Sequence, residues 1–136
     1  MNNDDLVKAW FDKAASDLRN AEIILSSGED DQPTDTVCFH CQQAAEKFIK
    51  GFLASRDTEY QKVHNLKALV EKAMALDPSF EQIMEKAESL SPYAVAIRYP
   101  DDFWMPKLED AQEAFAIARE IKDFILQRMK TAKTVG

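Results

Sequence analysis

Apolar residues recur at spacings of three and four through long stretches of the chain, which is the period of an amphipathic helix. Val7, Trp10, Phe11, Ala14, Leu18, Ala21 and Leu25 form the first such stripe. Asp4 or Asp5 can cap this helix, which is expected to run to about Ser27. Gly28 suits a left-handed C-terminal position and Pro33 cannot continue the helix, so residues 26–33 read as a connection. A second helix opens at Thr34 or Asp35 and reaches about Ser55. On a helical wheel, Val37, Cys38, Cys41, Ala44, Ala45, Phe48 and Phe52 make one broad apolar face. His40, Gln43, Lys47 and Lys50 fall together on a polar face, while Phe39 and Leu53 lie away from the main core side, close to Glu46. Apolar residues on a second side predict burial from two directions, by a bundle neighbour or by a second subunit.

The remainder of the chain continues in the same manner. A polar connection over 56–63 leads to a third helix near His64 to Leu76. Asp77-Pro78 has the form of an N-cap followed by proline at the first helical position, so a fourth helix is expected from Pro78 to about Ser89. Ser91-Pro92 breaks that pattern, and residues 93–99 read as a short helix or extended turn ended by Pro100. The stretch 98–106 holds two prolines and reads as a loop. A last helix is predicted over Leu108 to Lys130, with Ala111, Phe115, Ala118, Ile121, Ile125 and Met129 as its stripe and 131–136 as a frayed tail. Amphipathic helices joined by short connections pack as a bundle. The expected fold is therefore all-α: an up-and-down helical bundle of four to five helices forming one domain over residues 1–136.

Composition agrees. The chain carries only 3 glycines, few for a strand-and-turn architecture, and 46% hydrophobic residues, enough for a packed core in one domain. Residues 1–5 are polar and acidic, and no apolar run approaches the roughly 18 residues that span a bilayer, so no membrane association and a cytoplasmic location are expected. Two cysteines do not suggest a disulfide scaffold at this size. The formal net charge of −7 disfavours a general nucleic-acid coat protein. The acidity is uneven, however. Between Val37 and Lys72 six Lys and Arg face four Asp and Glu, so a local anion site there is compatible with the overall charge.

Four segments in order carry a family resemblance: Ala15-Ser16-Asp17-Leu18 followed by Ala21; Phe39-His40-Cys41-Gln42-Gln43-Ala44-Ala45-Glu46-Lys47 followed by Lys50; His64-Asn65-Leu66 with Leu69; and Arg98-Tyr99-Pro100-Asp101 ahead of Glu109-Asp110-Ala111. Together they resemble the HEPN domain (higher eukaryotes and prokaryotes nucleotide-binding domain) in a small stand-alone prokaryotic form, and the resemblance covers nearly the whole chain. It implies a helical bundle that commonly pairs as a homodimer. It also implies action beside a minimal nucleotidyltransferase, often as a toxin–antitoxin pair, and nucleotide or RNA as a ligand. Many members are metal-independent ribonucleases with an Arg, usually followed by a polar residue, and a His a few residues further on. Here Phe103, Trp104 and Met105 occupy that window after Arg98, Tyr99 replaces the polar residue, and no His follows His64. RNA cleavage at a 2′-hydroxyl needs a proton acceptor, a proton donor and phosphate stabilisation. Arg98 can supply only the last, so a non-catalytic nucleotide-binding or partner-docking role is favoured. The two rivals are a ribonuclease using His40 or His64, and a homodimeric scaffold burying Phe39, Leu53 and Trp104.

The candidate ligand-binding residues are thus Arg98, Tyr99, Asp101, Gln43, Lys47, Lys50, His40 and Asp17, with no metal and no cofactor expected. The Arg98 fork can hold a phosphate or carboxylate, or it can pin its loop through Asp101, Asp102 or Asp17. Asp101 reads as a cap or loop brace. Gln43, Lys47 and Lys50 share a face and can bind nucleotide phosphates; the plain alternative is a solvated face on which Glu46 pairs with Lys50. Asp17, at the edge of the first stripe, can orient Lys47 or Arg98 across the bundle. His40 and His64 are acid–base candidates because histidine titrates near neutrality. For His64 the plain alternative is a helix-start residue bonded to nearby backbone; for His40 it is solvation. Cys38-Phe39-His40-Cys41 has C-x-x-C spacing, but both thiols lie on the apolar side inside a helix with no strand before it, which suits neither redox chemistry nor zinc. Phe103 and Trp104 can stack on a base, and a plug at the bundle end or an interface is the preferred reading.

Overall fold

The structure is a computed structural model that describes residues 2–94 and 105–135. Within these, helix α1 spans Asn3–Leu25, α2 Thr34–Ser55, α3 Leu66–Leu76, α4 Met84–Ser89 and α5 Leu108–Val135. Short stretches of tighter 3-10 helix cover Pro78–Ile83 and Ser91–Tyr93. No strand occurs among the described residues, and none of their helices is long and apolar enough to cross a membrane.

The arms alternate in direction around α2, which packs against α1, α3 and α5. Helix α1 is antiparallel to α2, with Phe11 beside Phe48 and Asp17 beside His40. The run from Pro78 to Tyr93 passes back along α2 and α5: Phe80 stacks between Phe52 and Phe124 at 4.5 and 5.0 Å, and Lys86 pairs with Glu120. Helices α2 and α5 are therefore parallel. At one end the Thr34 hydroxyl donates to the Pro106 carbonyl at 2.7 Å, and at the other Ser55 meets the Met129 sulfur at 3.6 Å.

Every residue of the predicted α2 apolar face is buried. Leu53 is buried as well, fully within its own chain, so the second apolar side is covered by a bundle neighbour and Leu53 is not available to a second copy. Phe39 keeps partial exposure, and Trp104 lies outside the described residues.

Helix ends differ from expectation where two capping residues compete. Asn2, not Asp4 or Asp5, caps α1, its side-chain oxygen accepting from the Asp5 N–H at 2.8 Å; the aspartates occupy the first turn, where negative charge suits the helix dipole. Helix α1 ends at Leu25 rather than Ser27. Asn65 caps α3 by accepting from the Ala68 N–H at 3.1 Å, which places His64 before the helix. Asp77 caps the next turn as read from sequence, accepting from the Ser79 N–H and hydroxyl, and these bonds hold its carboxyl below the usual range. The proline-led turn remains 3-10 until Met84, so the predicted fourth helix is α-helical only in its second half. Helix α5 extends past the expected end at Lys130 to Val135, through residues read from sequence as a frayed tail.

The α1–α2 crossing is close because Gly51 has no side chain: a Cβ there would lie 2.5 Å from the Phe11 ring. Gly51→Ala should gain helix propensity of about 1 kcal/mol yet lose stability overall, by about 1–3 kcal/mol from overpacking. Urea unfolding checks this, and Phe11→Leu in the same chain should recover part of the loss.

Candidate functional site

The polar side of α2 faces other parts of the protein, and its residues divide into two clusters. The first is centred on Asp17, which is buried on α1 although the periodicity places it only at the edge of the stripe. One carboxylate oxygen accepts from Lys47 Nζ at 2.6 Å and the other contacts His40 Nδ1 at 2.9 Å. A carboxylate only accepts, so Nδ1 carries hydrogen and the neutral imidazole presents Nε2 as its basic nitrogen. The side chains of His40 and Lys47 each keep 24% of their exposure, so they form a rim held from beneath by a nearly buried carboxylate.

The second cluster lies deeper and is centred on Glu46. Lys50, with only 5% of its side chain exposed, donates to Glu46 at 2.9 Å and to His64 Nδ1 at 3.1 Å, and its ammonium lies 5.6 Å from the Trp10 ring centre. Gln42, buried, donates to the other Glu46 oxygen at 3.2 Å and accepts from Gln43 at 2.7 Å. Trp10 donates to the Tyr60 hydroxyl at 2.6 Å and closes the wall.

Asp17 thus meets Lys47 across the bundle, one of the two partners proposed from sequence. His40, Lys47 and Asp17 come together, while Gln43 bonds to Gln42 in the second cluster. Lys50 does not join them at the rim: its pairing with Glu46 was foreseen, but the pair is largely buried, not solvated. His64 is not a backbone-bonding helix starter, since Asn65 takes that role and the His64 ring turns toward Lys50 and Glu46. Arg98, Tyr99, Asp101 and Phe103 lie outside the described residues. The described residues on either side of that segment both sit on the first turns of α2: Tyr93 contacts Cys38, and Pro106 accepts from Thr34. Gln42 and Glu46 were not selected as site residues. Besides their place in the segment that carries the resemblance, their sequence signal is the i, i+4 series Gln42, Glu46, Lys50 running beside the apolar Phe39 and Leu53.

Cys38 and Cys41 are both fully buried. Burial is the largest influence on each and pushes the thiols up to about 11 and about 12, which keeps them protonated and unreactive at neutral pH. Among the described residues no group of three or more potential metal ligands gathers.

Fold and site together define an all-helical bundle whose central helix holds its polar groups against buried carboxylates. The HEPN domain profile matches residues 7–129, and the chain belongs to the HEPN family. The chain is similar to TT1696 from Thermus thermophilus, at 27% identity over 89% of this chain and 96% of that one, with a TM-score of 0.70. It is also similar to ST0689, an archaeal HEPN homologue, at 26% identity over 90% of this chain and 96% of that one, with a TM-score of 0.69. No match was found among curated proteins.

Two outcomes follow. Glu46→Ala leaves the Lys50 ammonium buried without its carboxylate and should cost about 3–5 kcal/mol. Glu46→Met with Lys50→Met should recover most of that, as a double-mutant cycle in urea would show. The raised thiol values concern pH. Unfolded thiols ionise near about 8.5, so their contribution to stability is fully present below that value and is lost as pH rises through about 11 to about 12. The urea midpoint should fall across this alkaline range, and less steeply in Cys41→Ala.

Proposed function

We propose that this HEPN domain binds a nucleotide by its phosphates at the His40–Lys47 rim together with Arg98, and does so as a non-catalytic partner of a minimal nucleotidyltransferase in a toxin–antitoxin-like pair. The observation that carries the reading is the single Asp17 carboxylate that holds both His40 and Lys47 with their outer groups still accessible. Groups fixed before the ligand arrives lose little freedom on binding, which favours affinity, and Lys47 is the donor to phosphate here, because a neutral His40 offers only an acceptor at Nε2. Lys47 retains two N–H donors beyond its bond to Asp17, and Arg98 would add a planar fork suited to phosphate. Tyr99 and Asp101 remain in the proposed site as neighbours of Arg98 in sequence. Lys50 leaves the ligand-binding set and becomes an internal support. The homodimer belongs to the same reading and rests on the family resemblance, while the cytoplasmic setting is carried over from the lack of an apolar run long enough to span a bilayer.

One observation favours a second reading. An imidazole whose Nδ1–H is given to a buried carboxylate is arranged as a general base at Nε2. His40 would then accept the proton in a metal-independent ribonuclease, with Arg98 or Lys47 stabilising phosphate.

Calorimetry with ATP should show binding to the unaltered protein and its loss in Arg98→Ala and in Lys47→Ala, with far-ultraviolet dichroism unchanged. Unaltered affinity in both variants would contradict the proposal. RNA incubated with the protein and a chelator should stay intact; cleavage abolished by His40→Ala would instead establish the second reading.

A further inference from the structure

We infer that the His40–Lys47 rim takes up a proton from solvent when it binds phosphate, so that His40 meets the ligand as an imidazolium and the affinity follows pH. This concerns the regulation of the site proposed above and rests on that reading.

With a neutral imidazole the three side chains of the rim carry no net charge. Asp17, from α1, contributes one negative charge and Lys47, from α2, one positive, and the two pair at 2.6 Å. Among the described residues Asp17 is the charged group within ion-pair distance of His40, at 2.9 Å from Nδ1. One turn from His40 along α2 stand Thr36 and Gln43, both uncharged, and the Phe39 ring lies edge-on to the imidazole. One turn from Asp17 along α1 stands Lys13, exposed. Arg98 would bring a further positive charge to the proposed site, but it would leave the imidazole as it is.

With its hydrogen on Nδ1, a neutral His40 presents a lone pair at Nε2. A fully ionised phosphate also presents only lone pairs, so the two repel where they meet. A proton on Nε2 removes the repulsion. The imidazolium then gives one N–H to Asp17 and the other to the phosphate, and lies between two anions. A negative charge within about 4–6 Å favours the charged form of a histidine. Lys47 cannot respond in this way, because an ammonium has no further proton to gain. His40 keeps 24% of its side-chain exposure, so both the ligand and a proton from water can reach it. A water bridging Nε2 and phosphate is the competing arrangement: it satisfies both lone pairs and takes up no proton.

Calorimetry of ATP binding to the full chain, in two buffers of different ionisation enthalpy, counts the protons exchanged. Mildly alkaline pH is chosen because the last ionisation of a phosphate ester lies at about 6, so the nucleotide brings no proton of its own. The expected result is net uptake approaching one proton, with affinity falling by up to about tenfold per pH unit as pH rises. In His40→Gln the uptake should vanish and the affinity should lose this pH dependence, a change that a merely structural His40 would not give. In the unaltered protein, imidazole nitrogen shifts should pass from the neutral Nδ1–H form to the doubly protonated form when ATP is added. ATP binding without proton uptake, with an imidazole that stays neutral, would overturn the inference in favour of the bridging water and leave the phosphate site standing. Uptake that persists in His40→Gln would place the proton elsewhere and overturn it as well. Absence of ATP binding at mildly acidic and mildly alkaline pH alike would overturn both the inference and the reading on which it rests.

Discussion

Helix α2 is enclosed by α1, α3 and α5, so the polar groups on its sides have to be paired within the protein. Burying a charge without a partner costs several kcal/mol per ion. Two carboxylates meet this constraint, Asp17 from α1 and Glu46 from α2 itself. Each takes a lysine and contacts a histidine, and the two clusters follow one another along the helix. The rest of the arrangement depends on these pairs: the contact of α1 with α2, the seat of His64 ahead of α3, and the directions in which Gln42 and Gln43 point.

The same pairing separates support from site. Lys50 lies too deep to meet a ligand and Glu46 is committed to it and to Gln42, while His40 and Lys47 sit at the edge with a carboxylate beneath them. A bundle of this kind uses charge twice, once to close its own interior and once to preset the groups at its surface. The second use is possible because carboxylates only accept, so whatever bonds to them has its hydrogens fixed.

Much of the fold was legible in the sequence because hydrophobic periodicity reports burial directly. All seven residues of the predicted α2 apolar face are buried, and α5 begins at Leu108 as expected. The site was legible only in part, for a physical reason. A helical wheel shows which residues share a face and not what covers that face. His40, Gln43, Lys47 and Lys50 looked like one polar stripe, whereas α1 and the segment before α3 divide it into a rim and an interior. Leu53 looked like a possible subunit contact for the same reason. Asn2 and Asn65 took the capping positions from Asp4, Asp5 and His64 because the asparagine oxygens reach the third residue's free N–H of each helix, a local choice that several neighbouring residues could equally have filled.

The central claim is that buried carboxylates fix the polarity of the groups above them, and the tautomer of His40 reports it most directly. Nitrogen chemical shifts of the imidazole, recorded by NMR at a pH where the ring is neutral, distinguish hydrogen on Nδ1 from hydrogen on Nε2. The account predicts the Nδ1–H form in the unaltered protein, with a return toward the Nε2–H form in Asp17→Ala. An Nε2–H imidazole in the unaltered protein would mean that Asp17 does not hold the ring, and would contradict the account.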